Sequence, residues 1–122
     1  EVADRLGLDA ALTRRAALLH DIARPEPKHP ETGAGWLREL GYPEIADIVR
    51  LHRDHPVATL DEAAVVFIAD KLVQGDRAVT LDERFAASAQ KCKTPEQLAH
   101  HQARRLASEK IVKLIEERGV EI

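Results

Sequence analysis

The run Ala63-Ala64-Val65-Val66-Phe67-Ile68-Ala69 narrows most what this chain can become. Apolar residues in unbroken succession cover every side of a helix, and such a helix is stable only when other elements surround it. Asp61 stands where an N-cap belongs. The run closes in Asp70-Lys71-Leu72, so it predicts a central helix over Glu62–Leu72 with a carboxylate at its end. A charge at such a place needs a partner.

The remaining chain supplies elements to surround that helix. Glu1–Leu6 reads as the last turns of a helix closed by Gly7, and Asp9 can cap a second helix over Ala10–Ala23, which Pro25 and Pro27 stop. His29-Pro30-Glu31 opens a helix to Leu40. Gly33 and Gly35 weaken it, which makes sense where another helix or a ligand comes close. Pro43 starts the next, with Ile45, Ile48, Val49 and His52 on one side at helical spacing. Gln74-Gly75-Asp76-Arg77 reads as an exit loop. Thr80 and Glu83 form a capping box for a short helix through Ala89, and Thr94-Pro95 announces a long terminal helix over about 95–118. On that helix Leu98, Leu106, Val112 and Ile115 are expected to face inward and His100-His101 to lie on the polar side or shoulder. Trp36 is expected as a core or interface anchor. No alternation long enough for a strand is present. The fold class expected is all-α, a single bundle of about six helices over residues 1–122, small enough at 122 residues for one core.

Composition agrees with helices and excludes some functions. Aromatic residues make up only 3% of the chain, so the core is built from Ala, Leu, Ile and Val. Charged residues are 32% with a net charge of -3, which argues against an electrostatic hold on extended nucleic acid. The single cysteine, Cys92, forms no internal disulfide, and no signal peptide or membrane-length apolar span is present. A cytoplasmic protein without membrane contact is expected.

Chemistry is concentrated in a few positions. Leu18-Leu19-His20-Asp21-Ile22 places an imidazole beside a carboxylate in an apolar helical run, and Asp21 there must be paired, hydrogen-bonded or bound to a cation. His29, His52, Asp54, His55 and Asp70 are the further candidates. Imidazole and carboxylate donors together suit divalent iron, manganese, cobalt, nickel or zinc. Arg24, Lys28, Arg53, Lys71 and Arg77 neighbour these positions and could grip phosphate.

The order Leu-Leu-His20-Asp21-Ile, His29-Pro-Glu-Thr-Gly-Ala, Ile-Val-Arg-Leu-His52 and Ala-Asp70-Lys71-Leu resembles the HD-domain metal-dependent phosphohydrolase superfamily over residues 1 to about 85. The resemblance implies that His20, Asp21 and Asp70 bind a metal and that His29 and His52, with His55 as a substitute, hold a second, Asp21 bridging the two ions. It implies hydrolysis of a phosphate monoester or diester of a nucleotide or related metabolite; Asp21, His52 and His55 are the catalytic residues expected, since His29, His52 or His55, where not ligating, could shuttle protons. The substrate is then a phosphorylated small molecule. The alternative is an inactive HD-like module, part of a longer protein, that senses a nucleotide or docks a partner. The family pattern begins with a further histidine on a preceding helix, and none precedes His20 here. Because Glu1–Gly7 resembles the downstream half of that helix, the ligand is expected before Glu1, the other reading being a copy that has lost it. A homodimer or a fusion to an upstream domain is also compatible with the resemblance.

Overall fold

A computed structural model describes residues 2–24, 28–52 and 59–120. Among them the chain forms seven helices, one more than about six, and a short hairpin: α1 Val2–Arg5, α2 Ala10–Leu19, α3 His29–Glu39, α4 Pro43–Arg50, α5 Glu62–Lys71, β1 Val73–Gln74, β2 Arg77–Ala78, α6 Leu81–Ala89 and α7 Pro95–Glu117. No helix among the described residues is long and apolar enough to cross a membrane.

Helix α5 is the axis of the molecule because it belongs to both halves of the core. Ala63 and Val66 pack with Ala16 of α2, Leu37 of α3 and Ala46 and Val49 of α4. Ala64, Val65, Phe67 and Ile68 pack on the other side with Leu6, Ile111 and Ile115. All six residues from Ala63 to Ile68 are buried, and Ala69 is exposed, so burial ends one residue earlier than the apolar run. Removing apolar surface from water on both sides of one helix is the main driving term for this arrangement.

The caps read from sequence are present. Asp9 Oδ1 accepts from Leu12 N (3.0 Å), Asp61 Oδ1 from Ala64 N (2.7 Å), and Thr94 Oγ1 from Gln97 N (3.1 Å). Thr80 and Glu83 form the reciprocal capping box of α6. Asp9 N also donates to Glu62 Oε2 at 2.9 Å, which joins the start of α2 to the start of α5. Gly33 lets α3 approach its neighbours: a Cβ there would stand 3.0 Å from Ile22 Cγ2. Gly35 faces open space, so close approach does not explain it.

Four expectations need correction. The helix expected over Ala10–Ala23 ends at Leu19, since the following bonds run three residues back (Ile22 N to Leu19 O, Arg24 N to Asp21 O) and tighten the chain into turns. Residues 74–77 lie within a hairpin rather than a loop. Val73 pairs with Ala78 and Gln74 with Arg77 around Gly75-Asp76, and Gly75 supplies the positive φ of +65° that a two-residue turn requires. Trp36 is 43% exposed, which removes the core half of the expectation for it and leaves the interface half. On α7 the inward stripe is His101, Ser108, Ile111 and Ile115, leaving Leu98 and Leu106 outside. That helix buries only a narrow seam against α5 and α6, too narrow for every apolar residue on it.

Candidate metal centre

Each helix end around α5 delivers one part of the site. His20 caps α2 and Asp21 follows in the turn; His29 opens α3; His52 lies just past α4; Asp70 is in the last turn of α5. Packing α2 and α4 against α5, and α3 against α4, brings these ends to one place. All five residues expected as ligands converge.

The contacts divide into two sets around Asp21. Asp21 Oδ2 lies 3.2 Å from His20 Nε2, which is 3.4 Å from Asp70 Oδ1. Asp21 Oδ1 lies 3.0 Å from His29 Nε2 and 3.5 Å from His52 Nε2, and those two nitrogens are 3.1 Å apart. His20 Nδ1 approaches the Ala17 carbonyl at 2.6 Å and His52 Nδ1 the Val49 carbonyl at 2.7 Å. A carbonyl only accepts, so each Nδ1 carries a proton; in the neutral ring Nε2 is then a bare lone pair facing the carboxylates, and only the His20 imidazolium has an Nε2 proton to donate to Asp70.

Lone pairs and anionic oxygens crowded together in this way call for a cation between them. Donors about 2.1 Å from a shared ion stand roughly 3.0 Å apart at a right angle and roughly 3.4 Å apart at the tetrahedral angle. The observed separations, 3.0 to 3.5 Å, lie at or close to these two values. His20, Asp21 and His52 form a cluster that could hold a metal ion, and the nitrogen and oxygen donors suit a divalent transition metal.

The electrostatics respond to the same geometry. The Asp70 hydrogen bond raises the His20 imidazole above its ordinary value. Burial alone would push the Asp70 carboxyl up, but the His20 hydrogen bond, the Lys71 ammonium and the Arg84 guanidinium hold it well below the usual carboxylate range. Burial lowers His52 and keeps that ring neutral. Lys71 is lowered by its own burial, against the pull of Asp70. Its ammonium lies 2.8 Å from Asp70 Oδ2 and 4.7 Å from the centre of the Phe67 ring.

The cations expected to grip phosphate are dispersed. Arg24 Nη1 is 3.4 Å from Asp21 Oδ2 and lines the cavities beside the cluster. Lys71 points inward and is committed to Asp70 and to the His52 carbonyl. Lys28 and Arg77 are exposed and line neither cavity, because Lys28 precedes α3 on its outer side and Arg77 lies in the hairpin. Arg53 and His55, with Asp54, lie outside the described residues.

Two cavities flank Asp70. The larger, about 410 Å³, runs between α2, α5, the hairpin and α6 and is lined by His20, Asp21, Asp70, Arg84 and Lys91 among others. The smaller, about 190 Å³, reaches His29, His52, Lys71 and Arg104. Arg84 and Ser88 line both. Sequence reading did not single out Arg84, Ser88 or Lys91, and nothing local distinguishes them from other polar residues on a helix. It also placed His101 on the polar shoulder of α7, whereas this ring is buried, with Nε2 3.0 Å from the Phe85 carbonyl and 2.8 Å from Ser88 Oγ. There it joins α7 to α6.

Comparison with known proteins agrees with the geometry. The family model for the HD domain matches residues 1–74. A protein named Ribonuclease Y from Thermus thermophilus is 43% identical over 77 residues, 58% of this chain and 13% of its own length. The Ribonuclease Y of Deinococcus radiodurans is 44% identical over 59 residues, covering 43% of this chain and 10% of that protein. That of Aquifex aeolicus is 36% identical over 77 residues, covering 58% and 14%. The chain therefore spans only a small part of these relatives. No solved structure matches it with statistical significance.

Proposed function

This chain belongs to the HD domain family, and from that premise we propose that it is a metal-dependent phosphohydrolase acting on a phosphoester of a nucleotide or related compound. One observation carries the reading: the two oxygens of Asp21 face separate donor sets, His20 with Asp70 on one side and His29 with His52 on the other. His20, Asp21 and Asp70 would hold one divalent ion, and His29 and His52, with Asp21, would hold a second.

A divalent cation in this place supplies acidified water at neutral pH and neutralises charge on a phosphoryl group. The chain's own residues do the rest. His20 and His52 are oriented through Nδ1 by the Ala17 and Val49 carbonyls, which aims Nε2 and removes rotational freedom. Lys71 holds the Asp70 carboxylate from behind and keeps it ionised. Arg24 stands beside Asp21 at the cavity edge, where a guanidinium can meet a phosphate oxygen. His52 Nδ1 is committed to the buried Val49 carbonyl, which leaves Nε2 as the atom that would ligate and gives the ring no second free nitrogen through which to relay a proton. The name of the relatives adds RNA phosphodiesters to the substrates to be tried.

Metal analysis after purification without a histidine tag, together with phosphate release from nucleoside mono- and diphosphates, cyclic nucleotides and short RNA, tests the proposal. Near-stoichiometric transition metal and turnover of one class are expected. Metal without turnover of any of them would leave the sensing or docking module as the better reading; absence of metal would overturn both.

A further inference from the structure

The family match ends at residue 74, yet one wall of the larger cavity comes from residues beyond it. Helix α6 and the turn after it contribute Arg84, Ala87, Ser88 and Lys91. The position of that wall is held by Arg84 itself. Its Nη1 donates to the carbonyls of Asp70 and of Val73, the latter at 2.9 Å, and so ties α6 to the end of α5 and the start of the hairpin.

A guanidinium carries five N–H donors. The two carbonyls occupy Nη1 only. Nη2 stands 3.9 Å from Asp70 Oδ2, too far for a hydrogen bond, and among the described residues Arg84 donates to nothing else. The rest of the fork lies at the junction of both cavities, next to the proposed metal ligand Asp70. Lys91 lies on the same wall, exposed, and no ion pair engages its ammonium among the described residues. The intervening surface is made of short apolar side chains, Ala17, Ala69 and Ala87, within a volume of about 410 Å³, a size typical of sites for small organic ligands. A charged end beside an apolar wall matches a phosphate carried on a ring compound.

We propose that Arg84 and Lys91 are the phosphate-recognising side chains of this site, and that they seat a nucleoside monophosphate unit in the cavity between α2, α5 and α6. They replace Lys28 and Arg77, which line neither cavity. The assignment rests on the phosphohydrolase reading for its substrate class, but the geometry that supports anion binding is independent of turnover. The unit bound is the same chemical group whether it is a free nucleotide or the 5′-phosphorylated end of an RNA strand.

The test is calorimetric titration of the whole chain with inorganic phosphate, adenosine 5′-monophosphate and a short 5′-phosphorylated RNA, with manganese present and after chelation. Lys91→Ala and Arg84→Lys are compared with wild type, and Lys113→Ala on the outer face of α7 is the control. Each cavity variant is expected to weaken nucleotide binding about tenfold, the worth of a charge-assisted hydrogen bond, with manganese content unchanged in Lys91→Ala. The control is expected to match wild type. Preference for the free nucleotide or for the RNA end identifies the source of the ligand, and dependence on Lys91 supports the assignment in either case. Nucleotide affinity within twofold of wild type in both variants overturns it even if hydrolysis persists, as does failure of wild type to bind any of the three probes. Nucleotide binding that depends on Lys91 in a chain without metal or turnover keeps this assignment and removes the hydrolase reading.

Discussion

Lys71 Nζ donates to the backbone carbonyl of His52 at 3.2 Å, joining two helix ends that lie 19 residues apart in the chain. The same ammonium holds Asp70 Oδ2 at 2.8 Å, so one buried cation fixes two of the five converging residues relative to each other. Lys71→Met removes both bonds and leaves the carboxylate and a carbonyl short of a partner. A loss of about 3 kcal/mol, seen as a fall in melting temperature of about 10 °C, is expected. A change below about 2 °C in thermal denaturation would show that Lys71 is dispensable.

Asp21→Asn keeps the shape of the side chain and removes its charge. Because Asp21 contacts His20, His29 and His52, bound metal is expected to fall to less than a tenth of wild type after dialysis, with activity falling in parallel. The carboxylate is a third exposed, so the helical signal in circular dichroism is expected to stay as it is. Full metal retention in the folded variant would contradict the bridging role.

The two glycines of α3 separate propensity from packing. Gly35→Ala meets no neighbour within 4 Å and is expected to stabilise by about 0.5–1 kcal/mol through helix propensity alone. Gly33→Leu pushes against Ile22, Ala23 and Val49 and is expected to cost about 1–3 kcal/mol. Denaturant unfolding of both variants checks the opposite signs.

Proton competition gives a signed pH dependence. An imidazole must be neutral to bind a metal. The raised His20 retains its proton above 6.5, the ordinary value, while the lowered His52 is already neutral there. Metal affinity is therefore full above the raised His20 value and is lost as the pH falls through it. Manganese titrations across pH 5.5 to 8.5 are expected to show a midpoint above 6.5; a midpoint below 6 would exclude His20 as the controlling group.

Much of the site could be read along the chain because its parts sit at helix ends, and caps and prolines mark helix ends locally. Asp9, Asp61, Thr80 and Thr94 announced their helices, and the His20-Asp21 doublet and Asp70 identified themselves as polar groups in apolar runs. The hairpin was missed although Gly75-Asp76 carries a turn signal, since strands of two residues have no alternation to detect. The end of α2 was misplaced because apolar residues continue past Leu19 into the turns that carry Asp21, Ile22 and Ala23.

The sequence by itself determined the donors, their order and the apolar helix on which they are assembled, since side-chain chemistry and helical periodicity are local properties. Tertiary structure alone decided which cations face the cavity. Lys28 and Arg77 are near the donors in sequence yet turned outward, while Arg84 and Lys91 reach them only because the hairpin reverses the chain and α6 packs back beside α5. Adjacency along the chain sets spacing within one helix. Closeness between helices is set by how their buried faces fit.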